Sequence, residues 1–190
     1  MLNFYKLIEI LVCLQSIIIS TLIPIYIPLP FSDKSSINFE IPITWQIPTI
    51  ILLTLLFNRK VVFRAFTIYI ILGLFILPVF HNGGSIGYLL TPNFGYLLGV
   101  YPLIKVIDNL NTRNKINVGN FLKNGFIAIG AMHLTGIFYN FIQVIFYSQF
   151  NIFLYNLGIY SVGKIGYHFL MLFPLLLIIN PLKRLKESKK

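Results

Sequence analysis

Three short patterns in this chain carry residue types that do chemistry. Gly158-Ile159-Tyr160-Ser161-Val162-Gly163-Lys164-Ile165 follows the spacing of a phosphate-cradling loop as far as the lysine, but Ile165 stands where a magnesium-binding hydroxyl belongs. Gly83-Gly84-Ser85-Ile86-Gly87 spells Gly-x-Ser-x-Gly, with His133 and His168 as the available bases for a serine nucleophile. Lys164 is a cation at the edge of a long apolar run. In or near a bilayer such a charge is costly, so it is a functional candidate by default, with snorkelling to headgroups as the plain alternative. No metal or cofactor site is expected: Cys13 is the single cysteine, and neither His133 nor His168 has a carboxylate within a helical turn or two.

These residues sit among elements that must position them in lipid. The 190 residues are 57% hydrophobic and 16% aromatic but only 11% charged, with a mean hydropathy of +0.82, which reads as a membrane protein. Apolar runs fall at about 4–27, 42–57, 61–80, 92–110, 124–147 and 162–180. Since a span takes about 20 residues, they predict one all-α domain, 1–190, of six transmembrane helices. Continuously apolar runs, rather than alternating ones, argue against a barrel. No small-x-small cleavage site follows the first run, so it is expected to stay as a span. The second run is short and carries Pro42 and Pro48, which predicts a broken or tilted helix. A phosphate loop needs a strand of a soluble α/β domain before it, and these runs leave no room for one.

The net charge of +10 would suggest nucleic acid in a soluble chain. Here the basic residues sort by side instead. Lys6, the Arg59–Arg64 link, the Lys105–Lys123 link and the tail hold 13 of the 15 Lys and Arg, leaving only Lys34 and Lys164 opposite. By the positive-inside rule both termini are cytoplasmic, and no nucleic acid partner is expected. Spans two, four and six then run inward, so their N-termini converge on the outer face, where a helix start welcomes an anion. Thr91-Pro92 reads as N-cap and first residue of span four. Ile23 to Phe31, with prolines at 24, 28 and 30, reads as an extended segment at the membrane surface. Together with the Gly-rich loop 81–88 it is suited to form a lid. Glu9 with Lys6, and Asp108 with Lys105, read as i, i+3 pairs at cytoplasmic helix ends. Ser16 and Ser20 form a small-residue pair on span one, open to an internal contact or a docking partner.

The order of motifs resembles a known family. Ile27-Pro28-Leu29-Pro30-Phe31-Ser32, Ile41-Pro42-Ile43-Thr44-Trp45-Gln46, Leu77-Pro78-Val79-Phe80 with its Gly-rich loop, and Thr91-Pro92-Asn93-Phe94-Gly95-Tyr96-Leu97-Leu98-Gly99 look like the BioY family. Its members are biotin-binding S components of energy-coupling factor (ECF) vitamin transporters and have six membrane helices. The likeness is strongest over Ile23–Ile107. This chain inserts Asp33 to Glu40 in the first outer loop. Where the family has Pro-Gly-Asp-x-x-Lys at the start of span six, it has Val162-Gly163-Lys164-Ile165-Gly166-Tyr167, so Lys164 takes the acidic position and Tyr167 the basic one.

The resemblance implies biotin as ligand, a multi-pass location in the plasma (cell inner) membrane among its lipids, and partners: a transmembrane T component and two cytoplasmic ATP-binding subunits. It implies no enzyme activity. Biotin offers a ureido ring, an apolar body and a carboxylate, which ask for an amide, aromatic walls and positive potential. Asn82 is the expected amide, and Trp45 and Tyr96 the walls. Lys164 at the start of span six, beside Tyr167, supplies the charge, and Gly83, Gly84 and Gly95 allow close backbone approach. A serine hydrolase built on Ser85 and a bare membrane scaffold remain the readings from other classes.

Overall fold

The computed structural model describes residues 4–28, 38–81, 83–112, 117–147 and 150–187. Among the described residues the chain is all-helical apart from one two-stranded ribbon. Its elements are α1 (Phe4–Leu22), β1 (Pro24–Pro28), β2 (Asn38–Thr44), α2 (Gln46–Leu56), α3 (Arg59–Phe75), α4 (Pro92–Leu98), α5 (Val100–Thr112), α6 (Val118–Tyr147), α7 (Phe150–Asn156), α8 (Gly163–Leu170) and α9 (Leu172–Glu187). Among the described residues three stretches, Phe4–Leu22, Val118–Phe146 and Phe150–Ile178, are long and apolar enough to cross a membrane.

The core follows from helical periodicity. α1 buries Ile10, Cys13, Leu14, Ile17, Ser20 and Thr21, a stripe at three- and four-residue spacing, while Leu11, Val12 and Ile19 stay exposed, the pattern of a helix with one face on protein and one on lipid. That stripe meets Val62, Ala65, Phe66 and Tyr69 of α3 in a cluster that continues to Leu103, Ile104 and Ile107 of α5. Tyr69, fully buried, shares its hydroxyl with Thr21 at 3.3 Å, so its polar tip is satisfied inside the apolar cluster.

Several boundaries differ from the sequence expectation. The first helix stops at Leu22, and the proline-spaced segment after it is extended over Pro24–Pro28, in keeping with its φ restriction; its remainder, 29–31, lies outside the described residues. β1 pairs antiparallel with β2, Ile25 opposite Ile41 and Pro28 opposite Asn38. The second helix starts at Gln46 rather than 42, because Pro42 belongs to β2; Pro48 falls in the first turn of α2, where a missing N–H costs nothing. The fourth run is two helices with a break at Gly99, where an added Cβ would crowd the backbone of Met132. Thr91 is the N-cap of α4 with Pro92 first in the helix, but its hydroxyl turns back to the Tyr88 carbonyl at 2.8 Å. The largest correction concerns the sixth run. It begins at Phe150, not 162, and a π-helical segment, Leu157–Val162, joins α7 to α8. The region expected as the third outer loop is therefore mostly helix. The Gly158–Lys164 pattern lies within this helix, not on a strand–loop–helix turn, so it offers no phosphate cradle.

One of the two expected ion pairs also changes. Asp108 is buried on α5 and meets Arg59, the first residue of α3, at 3.5 Å, so the partner seen for it lies across the bundle and not one turn away. Ser20 is turned into the interior and Ser16 is part-exposed, both hydroxyls donating to carbonyls of their own helix. An internal contact thus accounts for Ser20.

Candidate functional site

At one end of the bundle α1 and α3 finish and α2 and α4 begin, and between these ends lies a cavity of about 120 Å³. A single water needs roughly 10–15 Å³, so this space is on the scale of a ligand. The last residues of β2, Pro42 to Thr44, form one wall and Gln46 the next. Tyr88, Asn93 and Tyr96 close a second side, and Met132 of α6 a third. The fourth wall is a polar stripe on the last helix: Tyr160, Lys164 and His168, spaced i, i+4, i+8.

The ribbon is placed over this end by a small apolar contact of its own. Ile25, Ile41 and Ile43 are buried against Tyr167 and Met171 of the last helix, and the Trp45 N–H bonds to Ile23 O at 3.2 Å where the ribbon joins α2. Tyr167 is thus a seat for the ribbon.

Opposite the ribbon, a buried polar chain runs from the cavity into the protein and back. The Tyr96 and Ser161 hydroxyls are 2.8 Å apart, Ser161 Oγ is 3.2 Å from His133 Nδ1, and His133 Nε2 is 3.0 Å from His168 Nδ1. The π-helical segment carries Tyr160 and Ser161. Such a wide turn shifts the phase of a helix, here placing Ser161 towards α6 and Tyr160 at the cavity. Lys164 lies over the Tyr160 ring, 5.2 Å from its centroid, and forms no ion pair with a carboxylate among the described residues. The Gln46 Nε2 group, on the cavity wall, is buried with no hydrogen-bond partner of normal geometry and faces the Tyr69 hydroxyl. In the loop before α4, burial pushes the Tyr88 phenol up to about 12, so its hydroxyl stays protonated beside Asn93.

Of the expected site residues, Tyr96 and Lys164 line the cavity. Trp45 and Tyr167 stand one residue outside or beneath it. Gly95 faces Tyr139 of α6, and Gly136 of α6 in turn faces Tyr96, so each glycine receives the aromatic ring of the other helix. Its close approach is helix to helix. Gly84 packs on the Gly73 carbonyl of α3, and Gly83 adopts φ 94, the turn conformation that glycine allows. Asn82 lies outside the described residues, although its neighbour His81 lines the cavity. Lys164 is about four turns inside a helix that starts at Phe150, so no helix N-terminus assists it. Gln46 and Tyr160 were missed by sequence reasoning, and His168 was weighed only as a base for Ser85; the signal for the last two was their four-residue spacing from Lys164 in an apolar run.

Comparison with known proteins adds three findings. The model of the BioY family matches residues 2–176. The chain belongs to the BioY family. Its relatives include the "Probable biotin transporter BioY" of Lysinibacillus sphaericus, 41% identical over 75 residues. That match covers 40% of this chain and 34% of the relative, so it spans about a third of the relative's length. The fold of this BioY-family chain is that of a solved S component for biotin from an ECF-type ABC transporter, with a TM-score of 0.62 and 18% identity, covering 98% of this chain and 95% of that one.

The Ser85 hydrolase pattern finds no support in the geometry. Ser85 is exposed in the turn before the short 3₁₀ segment at 86–90, while the two nitrogens of His133 meet Ser161 and His168.

Proposed function

We propose that this chain captures biotin as the substrate-binding S component of an ECF-type transporter, a binding subunit and not an enzyme. The observation that carries the reading is the cavity itself. It lies at the end of the bundle away from the basic Arg59–Arg64 and Lys105 links, under a ribbon, with Lys164, Gln46 and His168 converging on it. Its chemistry matches a cyclic urea on an apolar body: Gln46 Nε2 and the Lys164 ammonium donate, Tyr96 and Tyr160 provide flat walls, and Ile43 and Met132 provide apolar surface. Asn82, Gly83, Gly84, Gly95, Trp45 and Tyr167 are proposed to shape this site, the last four by holding its walls.

In this reading the chain sits in the plasma membrane with six spans and cytoplasmic termini. Uptake requires a transmembrane T component and a pair of cytoplasmic ATP-binding subunits, since the cavity binds and does not hydrolyse. Equilibrium binding of biotin to the purified protein in detergent is the test: saturable binding is expected, and its absence would sink the reading. Fluorophosphonate labelling of Ser85 would favour the hydrolase instead. For the topology, in a Cys13→Ser background, a cysteine at Asn58 should react with impermeant reagents only from inside and one at Ser85 only from outside. Reversed accessibility would overturn the arrangement.

A further inference from the structure

The buried chain Tyr96–Ser161–His133–His168 has a property that none of its members has singly. Each link is a group that donates and accepts, and each bond holds one proton; the two imidazoles, with one N–H and one bare nitrogen apiece, must therefore point the same way, while the Ser161 hydroxyl either relays that direction or accepts from both neighbours. In one order, the Tyr96 hydroxyl donates to Ser161, Ser161 to His133 Nδ1, and His133 Nε2–H to His168 Nδ1; His168 then carries its own proton on Nε2. In the other order every bond reverses: His168 Nδ1–H donates to His133, His133 Nδ1–H to Ser161, Ser161 to the Tyr96 oxygen, and His168 Nε2 is a bare acceptor. Because Nδ1 is engaged with His133, Nε2 is the ring nitrogen left for the cavity that His168 lines.

One neighbour chooses between the orders and another accommodates the choice. Lys164 is one turn before His168, lines the same cavity and acts electrostatically on both imidazoles. A neighbouring ammonium favours a lone pair over an N–H dipole aimed at it. At the other end, the reversed order requires an acceptor for the Tyr96 hydroxyl. Asn140, 2% exposed, faces that phenol, and neither polar atom of its amide has a hydrogen-bond partner of normal geometry. Lys164 favours the second order, and the Asn140 amide, through Oδ1, can accept the Tyr96 hydroxyl in it.

We propose that the buried chain is a proton-ordered wire that holds His168 as the Nδ1–H tautomer, so that the cavity presents an acceptor, His168 Nε2, one helical turn from a cation, Lys164. This pair selects a ligand with an N–H donor beside a carbonyl oxygen. Resting on the reading of the cavity as a biotin site, it assigns the ureido edge to Lys164 and His168: carbonyl to the ammonium, adjacent N–H to Nε2. His168 contacts the ligand. His133 and Ser161, neither of them on the cavity wall, are positioning residues.

The test uses the whole protein in detergent with ¹⁵N-labelled histidine, whose ring resonances report the tautomer directly. Without ligand, His168 is expected as the Nδ1–H form. Ser161→Ala should shift it toward Nε2–H and weaken biotin binding about tenfold, while Ser161→Thr, which keeps the hydroxyl, should restore both. His168→Gln, whose amide reaches the Nε2 position, should bind biotin better than His168→Asn, whose amide reaches only the Nδ1 position. Biotin methylated on the ureido nitrogens should bind wild type and His168→Asn alike. An Nε2–H tautomer in the ligand-free protein, or one unmoved by Ser161→Ala, overturns the wire even if biotin binds. Failure of biotin to bind a protein whose tautomer behaves as expected removes the ureido assignment and the biotin reading but leaves the wire.

Discussion

The packing of α1 and α3 against α5 and the packing of α6 against α8 solve the same problem in opposite ways. On the first side the interior is Cys13, Ile17, Val62, Ala65, Phe66, Ile104 and Ile107, all buried and apolar. On the second it holds His133, Ser161 and His168, also buried but bonded to one another. Lipid gives no hydrophobic drive for one helix to meet another, so close contact must come from shape or from polar pairing. The apolar side uses shape and supplies a fixed frame. The polar side uses pairing, and it is the side that the cavity meets. The difference shows where the chain tolerates polar groups in its interior: beside the cavity.

The frame breaks most severely where two backbones touch. Gly99→Val places atoms against the Met132 main chain, which cannot rotate away as a side chain would. A loss of about 3 kcal/mol or more is expected, at the upper end of overpacking costs, read as a fall in melting temperature or in recoverable folded protein. A normal melting temperature would mean that α5 and α6 are not held at this separation.

The polar side should fail in function before it fails in stability. Lys164→Gln is expected to weaken biotin by about 1.5–3 kcal/mol, roughly 10- to 150-fold, the range for a hydrogen bond to a charged group, with little change in melting. Biotin methyl ester sharpens the assignment: equal losses for acid and ester place Lys164 on the ureido carbonyl, whereas a loss confined to the acid moves it to the carboxylate. A lysine that only snorkels would change neither.

His133→Leu asks what the pairing contributes to folding. Bonds between membrane helices average ~0.6 kcal/mol, so removing the central imidazole should cost only about 1 kcal/mol while disturbing the binding of biotin. A loss as large as that of Gly99→Val would erase the distinction between the two sides. The smallest effect is expected at the basic end. Arg59 is 42% exposed, so its pair with Asp108 is screened, and Arg59→Gln should lower stability by well under about 1 kcal/mol, less still at high salt.

Hydropathy and punctuation are local properties, and they determined much here: a membrane protein, apolar runs in the right order, the start of α4 at Thr91-Pro92, the extended proline-spaced segment, and the motif order of the BioY family. Lys164 and Tyr96 were legible as candidates, and both line the cavity, because a cation in an apolar run and an aromatic beside a helix start stand out by type. Only the tertiary structure decided which side chains look into the cavity, since that depends on how each helix is rotated about its axis and rotation is set by packing partners distant in sequence. Tyr96, His133, Ser161 and His168 lie on three separate helical stretches and meet only because Gly95 and Gly136 let α4 and α6 close on each other's rings. The same packing turned Gly95 from a ligand contact into a helix contact and separated Ser85 from both buried histidines. It also placed Lys164 deep within a helix, because a π-helical segment continues smoothly through a Gly-rich stretch that reads, residue by residue, as a loop.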